Sequence, residues 1–279
     1  MYNTKMNGSR LISYRAVLSI EIYNLEVIVM ANRVPVQETY PLPSGDRLYA
    51  QETKGMITLR PMTTMEEKLR LSSTNSLMAL AQIVQNCVIT PQDFDVNELK
   101  MFDLDYLIYK LRVVTYGPTY TVSLKCPDCG HVFEQKISLD DIPVNELPED
   151  FVEPFEVGPM PVSGDVVGCR LLSYSDYLAI TRESKRILAK MPDYVGDPEF
   201  ILKWTRILKT LNGKDFKVFE IQKYVENLHA ADFQYLDQKY AEVVGGLGQD
   251  LSRVDLCPNC GGNVNYNVPI RGEFFRPKY

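Results

Sequence analysis

Cys126-Pro127-Asp128-Cys129-Gly130-His131 and Cys257-Pro258-Asn259-Cys260-Gly261-Gly262 share one grammar, C-P-x-C-G, and lie far apart in the chain. In each, the proline fixes one φ angle and the trailing glycine can take a left-handed conformation. Such a turn points both sulfurs, and several backbone N–H groups, at one spot. One C-x-x-C is a weak signal, because a redox pair or chance gives the same letters. Two with the same grammar point to a single tetrahedral site of four thiolates, the ligand set of structural zinc. Cys126, Cys129, Cys257 and Cys260 are therefore the candidate metal ligands, with Zn2+ as the cofactor. Strand-like runs flank the turns at 120–125, 132–137 and 264–268. The expectation is a zinc ribbon made of two β-hairpins that meet at the metal.

A shared site has to close a long excursion. From Cys129 to Cys257 is 257 − 129 = 128 positions, and closing a loop of that length costs about 4 kcal/mol of chain entropy beyond a constant. Structural zinc binding is worth roughly 10–16 kcal/mol in small peptides at neutral pH. The metal wins, and can staple the carboxyl end to the middle of the chain. Four thiolates leave no open position for water or substrate, so the site reads as structural rather than catalytic.

The 279 residues suffice for one large or two modest domains, and 45% hydrophobic content is ordinary for a folded globular protein. A formal net charge of −6 argues against nucleic-acid binding, which needs a concentrated basic surface. Cys87 and Cys169 fall in apolar runs and read as buried free thiols, a usage that fits a reducing compartment. No uninterrupted apolar run approaches the roughly 18–20 residues of a membrane span.

The elements read as α+β. Residues 1–29 are expected to be an upstream extension ahead of a start at Met30, or else a helix or strand packed on the body. Residues 30–61 form an extended arm, punctuated by Pro35, Pro41, Pro43 and Gly45, and end in a short strand at 55–60. Residues 62–138 are a helical region plus the first hairpin. Thr63 and Thr64 each precede a glutamate by three residues, a capping-box pattern. A second helix starts near Asn75 or Ser76, carries Leu77, Leu80, Ala81, Val84 and Val88, and stops at Pro91. A third starts after Asp103, with Leu104, Leu107, Ile108 and Leu111 at helical spacing.

Residues 139–165 hold eight acids and no Lys or Arg and read as a proline-rich linker, with a docking strip for a basic partner as the alternative. Residues 166–250 read as a helical insertion opened by a strand at 166–173. Its helices start at Ser175 and Pro198 and lie near 217–228 and 232–244, the last capped by Asp232, with Trp204 in its core. Residues 251–279 supply the second hairpin and a tail. No phosphate loop, dinucleotide fingerprint or H-E-x-x-H occurs. The two histidines, His131 and His229, nominate no catalytic group, so catalytic residues are expected to be none.

Leu42-Pro-Ser-Gly45 with Tyr49, then Ile57-Thr-Leu-Arg-Pro61-Met-Thr-Thr-Met-Glu66, is similar to the amino-terminal pattern of the T4-type bacteriophage baseplate hub family. The run from Asp103 to Gly117, both cysteine motifs, and the terminal Phe274-Phe275-Arg-Pro277 continue the resemblance, which covers roughly residues 40–279. It implies a structural or assembly component of a contractile-tail hub, not an enzyme, whose partners are other baseplate and tail proteins. It also implies a place in the host cytoplasm during assembly, and leaves open whether the chain stays in the virion tail baseplate or acts only as an assembly factor. Small-molecule substrates are not expected. Phe274 and Phe275 are candidate partner anchors; the alternative is that they close the chain's own core. The competing reading is a zinc-ribbon nucleic-acid-binding module of a transcription or recombination complex. It would need a basic patch made from Lys125, Lys136, Arg253 and Arg271.

Overall fold

The computed structural model describes residues 37–49, 55–73, 76–268 and 274–275. Residues 1–29, the first part of the arm, and the terminal Arg276-Pro277 lie outside the described residues, with the expectations attached to them.

The amino-terminal part builds a three-stranded antiparallel sheet against helices. Strand β1 (Glu38–Pro41) pairs with β2 (Met56–Leu59), Tyr40 standing opposite Ile57. Helix α1 (Thr64–Ser72) follows, then α2 (Ser76–Cys87) and β3 (Val88–Thr90), which pairs with the free side of β2. The capping box at Thr63 is present: Glu66 accepts the Thr63 N–H at 2.7 Å, and the Thr63 hydroxyl accepts from Met65 N–H. The expectation that α2 carries Val88 and runs to Pro91 is corrected. Val88, Ile89 and Thr90 are all β-branched, and β2 offers them an edge to pair with. Between 37 and 49 the arm lies on its own body, with Leu42 and Ser44 buried.

Helix α3 (Met101–Tyr116) is the axis of the main core. Leu104, Leu107, Ile108 and Leu111 are buried as expected, and so are Phe102, Tyr106, Tyr109, Val113 and Val114. The helix begins two residues before Asp103, which is fully buried in its first turn. The Asp103 carboxylate accepts the Ser44 N–H at 3.1 Å and the Tyr49 hydroxyl, fastening the arm to the helix. Burial pushes this carboxyl up to about 6 even though both hydrogen bonds favour the charged form.

Strands β4 (Thr119–Lys125) and β5 (Val132–Ser138) form the first hairpin. The acidic segment beyond it is more than a solvated connection. Leu139, Ile142, Leu147, Val157 and Met160 are buried, and Arg47 donates to the carbonyls of Leu147, Pro148 and Glu149. Within it lie β6 (Val144–Asn145) and β7 (Phe155–Val157). Apolar residues spaced every few positions among the acids hold it down.

Next come β8 (Val167–Cys169), α4 (Tyr174–Lys190), α5 (Pro198–Ile207), β9 (Leu208–Leu211), β10 (Lys214–Asp215), α6 (Val218–Asn227) and α7 (Ala230–Gly245). Helices make up most of this part, and its short strands join β7 in one four-stranded sheet, in the order β10, β9, β8, β7. Asn212-Gly213 turns β9 into β10 with φ of 50° and 77°, the left-handed pair that a tight hairpin requires. Trp204, 1% exposed, packs here with Ile207, Leu208, Ile221, Leu236 and Tyr240. Two helix starts differ from expectation. Ser173, not Ser175, caps α4 in a box with Asp176. His229 caps α7 through Nδ1, which accepts the Ala231 N–H at 3.2 Å. Asp232 instead receives the Val162 and Ser163 N–H groups at 2.7 and 3.0 Å.

The chain then returns to the first hairpin through β11 (Gly248–Gln249), which pairs with β6, and closes with β12 (Ser252–Leu256) and β13 (Asn263–Asn267).

Candidate metal centre

Each cysteine motif sits at the tip of a hairpin and folds the same way. Cys126 N–H donates to His131 O at 2.9 Å, and Gly130 N–H donates to Cys126 O at 3.0 Å. In the second tip Cys257 N–H donates to Gly262 O at 2.9 Å, and Gly261 N–H to Cys257 O at 2.8 Å. Gly130 and Gly261 have φ of 73° and 72°, so the left-handed step that the grammar called for occurs twice. The hairpins pack through Val122, Leu124 and Val264, with Cys126 and Cys257 buried among them. Cys129 and Cys260 face outward.

The four sulfurs lie within 4.8 Å of one another. Cys126 Sγ stands 3.6 Å from Cys260 Sγ, and Cys129 Sγ stands 3.7 Å from Cys257 Sγ. A disulfide would need about 2.05 Å. Four thiolates each about 2.3 Å from a shared tetrahedral centre stand about 3.8 Å apart. The spacing therefore fits a metal ion held by all four. A tetrahedral all-sulfur set selects soft or borderline-soft metals over magnesium or calcium.

The surroundings act in opposite directions on the two outward thiols. The His131 backbone N–H and the Asn259 side-chain amide both donate toward Cys129, the latter at 3.6 Å, and hold its thiol down to about 6. At Cys260 the Gly262 N–H acts in the same direction, but the crowded Cys129 and Cys126 sulfurs push that thiol up to about 12. A set this close resists carrying every charge by itself, and a divalent cation removes the conflict. Gly262 lies against the first tip: a Cβ there would stand 2.2 Å from Oδ2 of the exposed Asp128 side chain, which can turn aside, and 3.4 Å from Cys260 Sγ.

Cys87 and Cys169 lie apart from this cluster. Both are fully buried, and burial pushes each thiol up to about 12. His131 is not among the four clustered donors, and its ring lies parallel to that of Phe133. Phe274 and Phe275 are 0% and 2% exposed. Phe274 packs on Tyr109 and Tyr120 with ring centroids 4.8 and 5.2 Å away. The pair belongs to the main core, so as partner anchors the two rings would first have to leave it. Sequence reasoning missed Arg112, 1% exposed, whose guanidinium binds the carbonyls of Phe274, Gly117 and Thr119. Its signal was an arginine set inside the apolar run Leu111 to Val114.

A family model described as T4 bacteriophage base plate protein matches residues 37–275, a span holding both cysteine motifs, the α3 core and the buried aromatic pair. The chain belongs to the T4 bacteriophage base plate protein family. This baseplate protein thus has a structural role in a phage baseplate, in association with other baseplate proteins. Curated proteins and solved structures gave no match. Among the described residues of this baseplate protein, no helix is long and apolar enough to cross a membrane.

Proposed function

We propose that this chain is a structural or assembly component of the baseplate hub, acting by protein–protein binding and held in shape by one structural zinc ion. The observation that carries the reading is the tetrahedron-like spacing of Cys126, Cys129, Cys257 and Cys260 in a chain of the baseplate family. Zinc suits the site because it takes four thiolates without redox chemistry or an open coordination position. Bound there, it would supply a cross-link. The four cysteines would hold it, and the hairpins would then fix the carboxyl end against α3 and the three-stranded sheet.

The chain's own residues support a scaffold rather than a catalyst. The buried charged groups are engaged in structural work: Asp103 holds the arm, Asp232 holds the 162–163 backbone, and Lys100 pairs with Glu153 at 2.8 Å. Affinity purification from phage-infected cells tests the reading. Tail proteins should accompany the tagged chain after nuclease treatment. Recovery of nucleic acid in place of tail proteins from a parallel lysate without nuclease would favour the transcription or recombination alternative and overturn it.

A further inference from the structure

The outer edge of the second hairpin pairs with no strand among the described residues, with Ser252 covered by Asp250 and Arg253. Cys257 N–H bonds to Gly262 O, and Val268 N–H to Leu251 O. Along β12, residues 251, 253, 255 and 257 therefore turn their backbone groups toward β13. Alternation turns those of Ser252, Val254 and Leu256 outward. Among the described residues β12 pairs with β13 alone.

Open edges are ordinarily blunted by charge. The outer strand of the first hairpin, β5, follows that rule, with exposed Glu134 and Lys136. On the second hairpin the exposed face carries Ser252, Val254, Leu256, Asn263, Asn265 and Asn267, none of them charged. Val254 and Leu256 are 61% and 67% exposed.

We propose that β12 is an interface between two copies of this chain, which pair their β12 strands antiparallel about a two-fold axis at Val254. The strand's own sequence selects this occupant. In that register Arg253 lies opposite Asp255 of the second copy, and the axis repeats the pair. Val254 faces Val254 of the second copy, and Ser252 faces Leu256. Both Val254 residues have outward backbone groups, so they exchange two hydrogen bonds.

Some local contacts have to yield. Ser252 N–H donates to Asp250 Oδ1 at 3.0 Å, and Arg253 Nη1 donates to the carbonyls of Asp250 and Ser252 at 3.1 and 2.6 Å. Pairing gives Arg253 a carboxylate in place of these carbonyls, a stronger acceptor. Asp255 can keep the Tyr266 hydroxyl at 2.6 Å, because a carboxylate accepts several donors. The result is a four-stranded sheet across the axis. A single strand pair is small beside a standard interface of about 1,600 Å², so association is weak and depends on concentration. This inference rests on β12 and not on which metal the cysteines hold.

Sedimentation velocity over a concentration series tests it. The wild-type chain should move from the mass of one chain to that of two. Arg253→Asp and Asp255→Arg each place like charges opposite one another twice, and each should stay at one chain over the same range. An equimolar mixture of these two variants should recover the two-chain species, because every facing couple is again opposite in charge. Val254→Lys, changed at an exposed side chain, should also abolish association while its circular dichroism matches wild type. A wild type that stays at one chain, variants that associate like wild type, or a mixture that does not associate overturns the proposal.

Discussion

Arg112 Nε donates a hydrogen bond to the carbonyl oxygen of Phe274 at 2.8 Å, across 162 positions of sequence. The same guanidinium reaches Gly117 O at 2.5 Å and Thr119 O at 3.0 Å, where the first hairpin leaves α3. The carboxyl end therefore meets the middle of the chain twice, once where the two hairpins pack and once through a buried cation. Replacing Arg112 with Met should strand these carbonyls in the core and cost about 3–5 kcal/mol. Urea unfolding of the purified chain measures it; a loss under 1 kcal/mol would show that the clamp is dispensable.

Phe274 is held by the same clamp, its ring 6.0 Å from the Arg112 guanidinium. Phe274→Ala should lower stability by about 3–5 kcal/mol. Combined with Arg112→Met it should cost less than the sum, since both changes release one tail. If Phe274→Ala leaves the melting temperature unchanged and abolishes binding of tail proteins, the ring serves a partner instead of the core.

What the sequence disclosed follows from how local each signal was. The cysteine grammar is complete within six residues, and it led to the four sulfurs that the fold brings within 4.8 Å of one another and to the hairpins around them. The apolar stripe of α3 was equally plain. The strand at Val88 was hidden because it only makes sense beside β2, a partner some 30 positions away. The packed course of 139–165 was masked by its eight acids, which drew attention away from Leu139, Ile142 and Leu147. Arg112 and Asp103 were unreadable as buried groups, because the backbone atoms that satisfy them come from distant segments.

Acid should act on this fold with opposite signs at two carboxyls. The Arg60 guanidinium, bonded to Glu66 at 2.9 Å, outweighs the opposing effect of burial and, with the Thr63 cap, holds the Glu66 carboxyl down to about 2. Its contribution, on the order of 2 kcal/mol, is complete above about 4.5 and lost as pH falls toward 2. Asp103, raised to about 6 by burial, takes up a proton in the folded chain before the unfolded one does. Its ionisation weakens folding as pH rises from about 4 to 6. Unfolding free energies of wild type and Glu66→Gln should therefore differ most near neutral pH and converge near pH 2. A difference that persists unchanged at pH 2 would contradict the assignment.

The most direct test of the account is the metal content of the reduced, folded protein. Elemental analysis should give about one zinc per chain, and Cys126→Ser or Cys257→Ser should each lose both the metal and much of the stability, because each removes a ligand from one shared site. Two independently lost metals per chain, or a reduced and well-folded protein with none, would contradict a ribbon closed by a single four-thiolate centre.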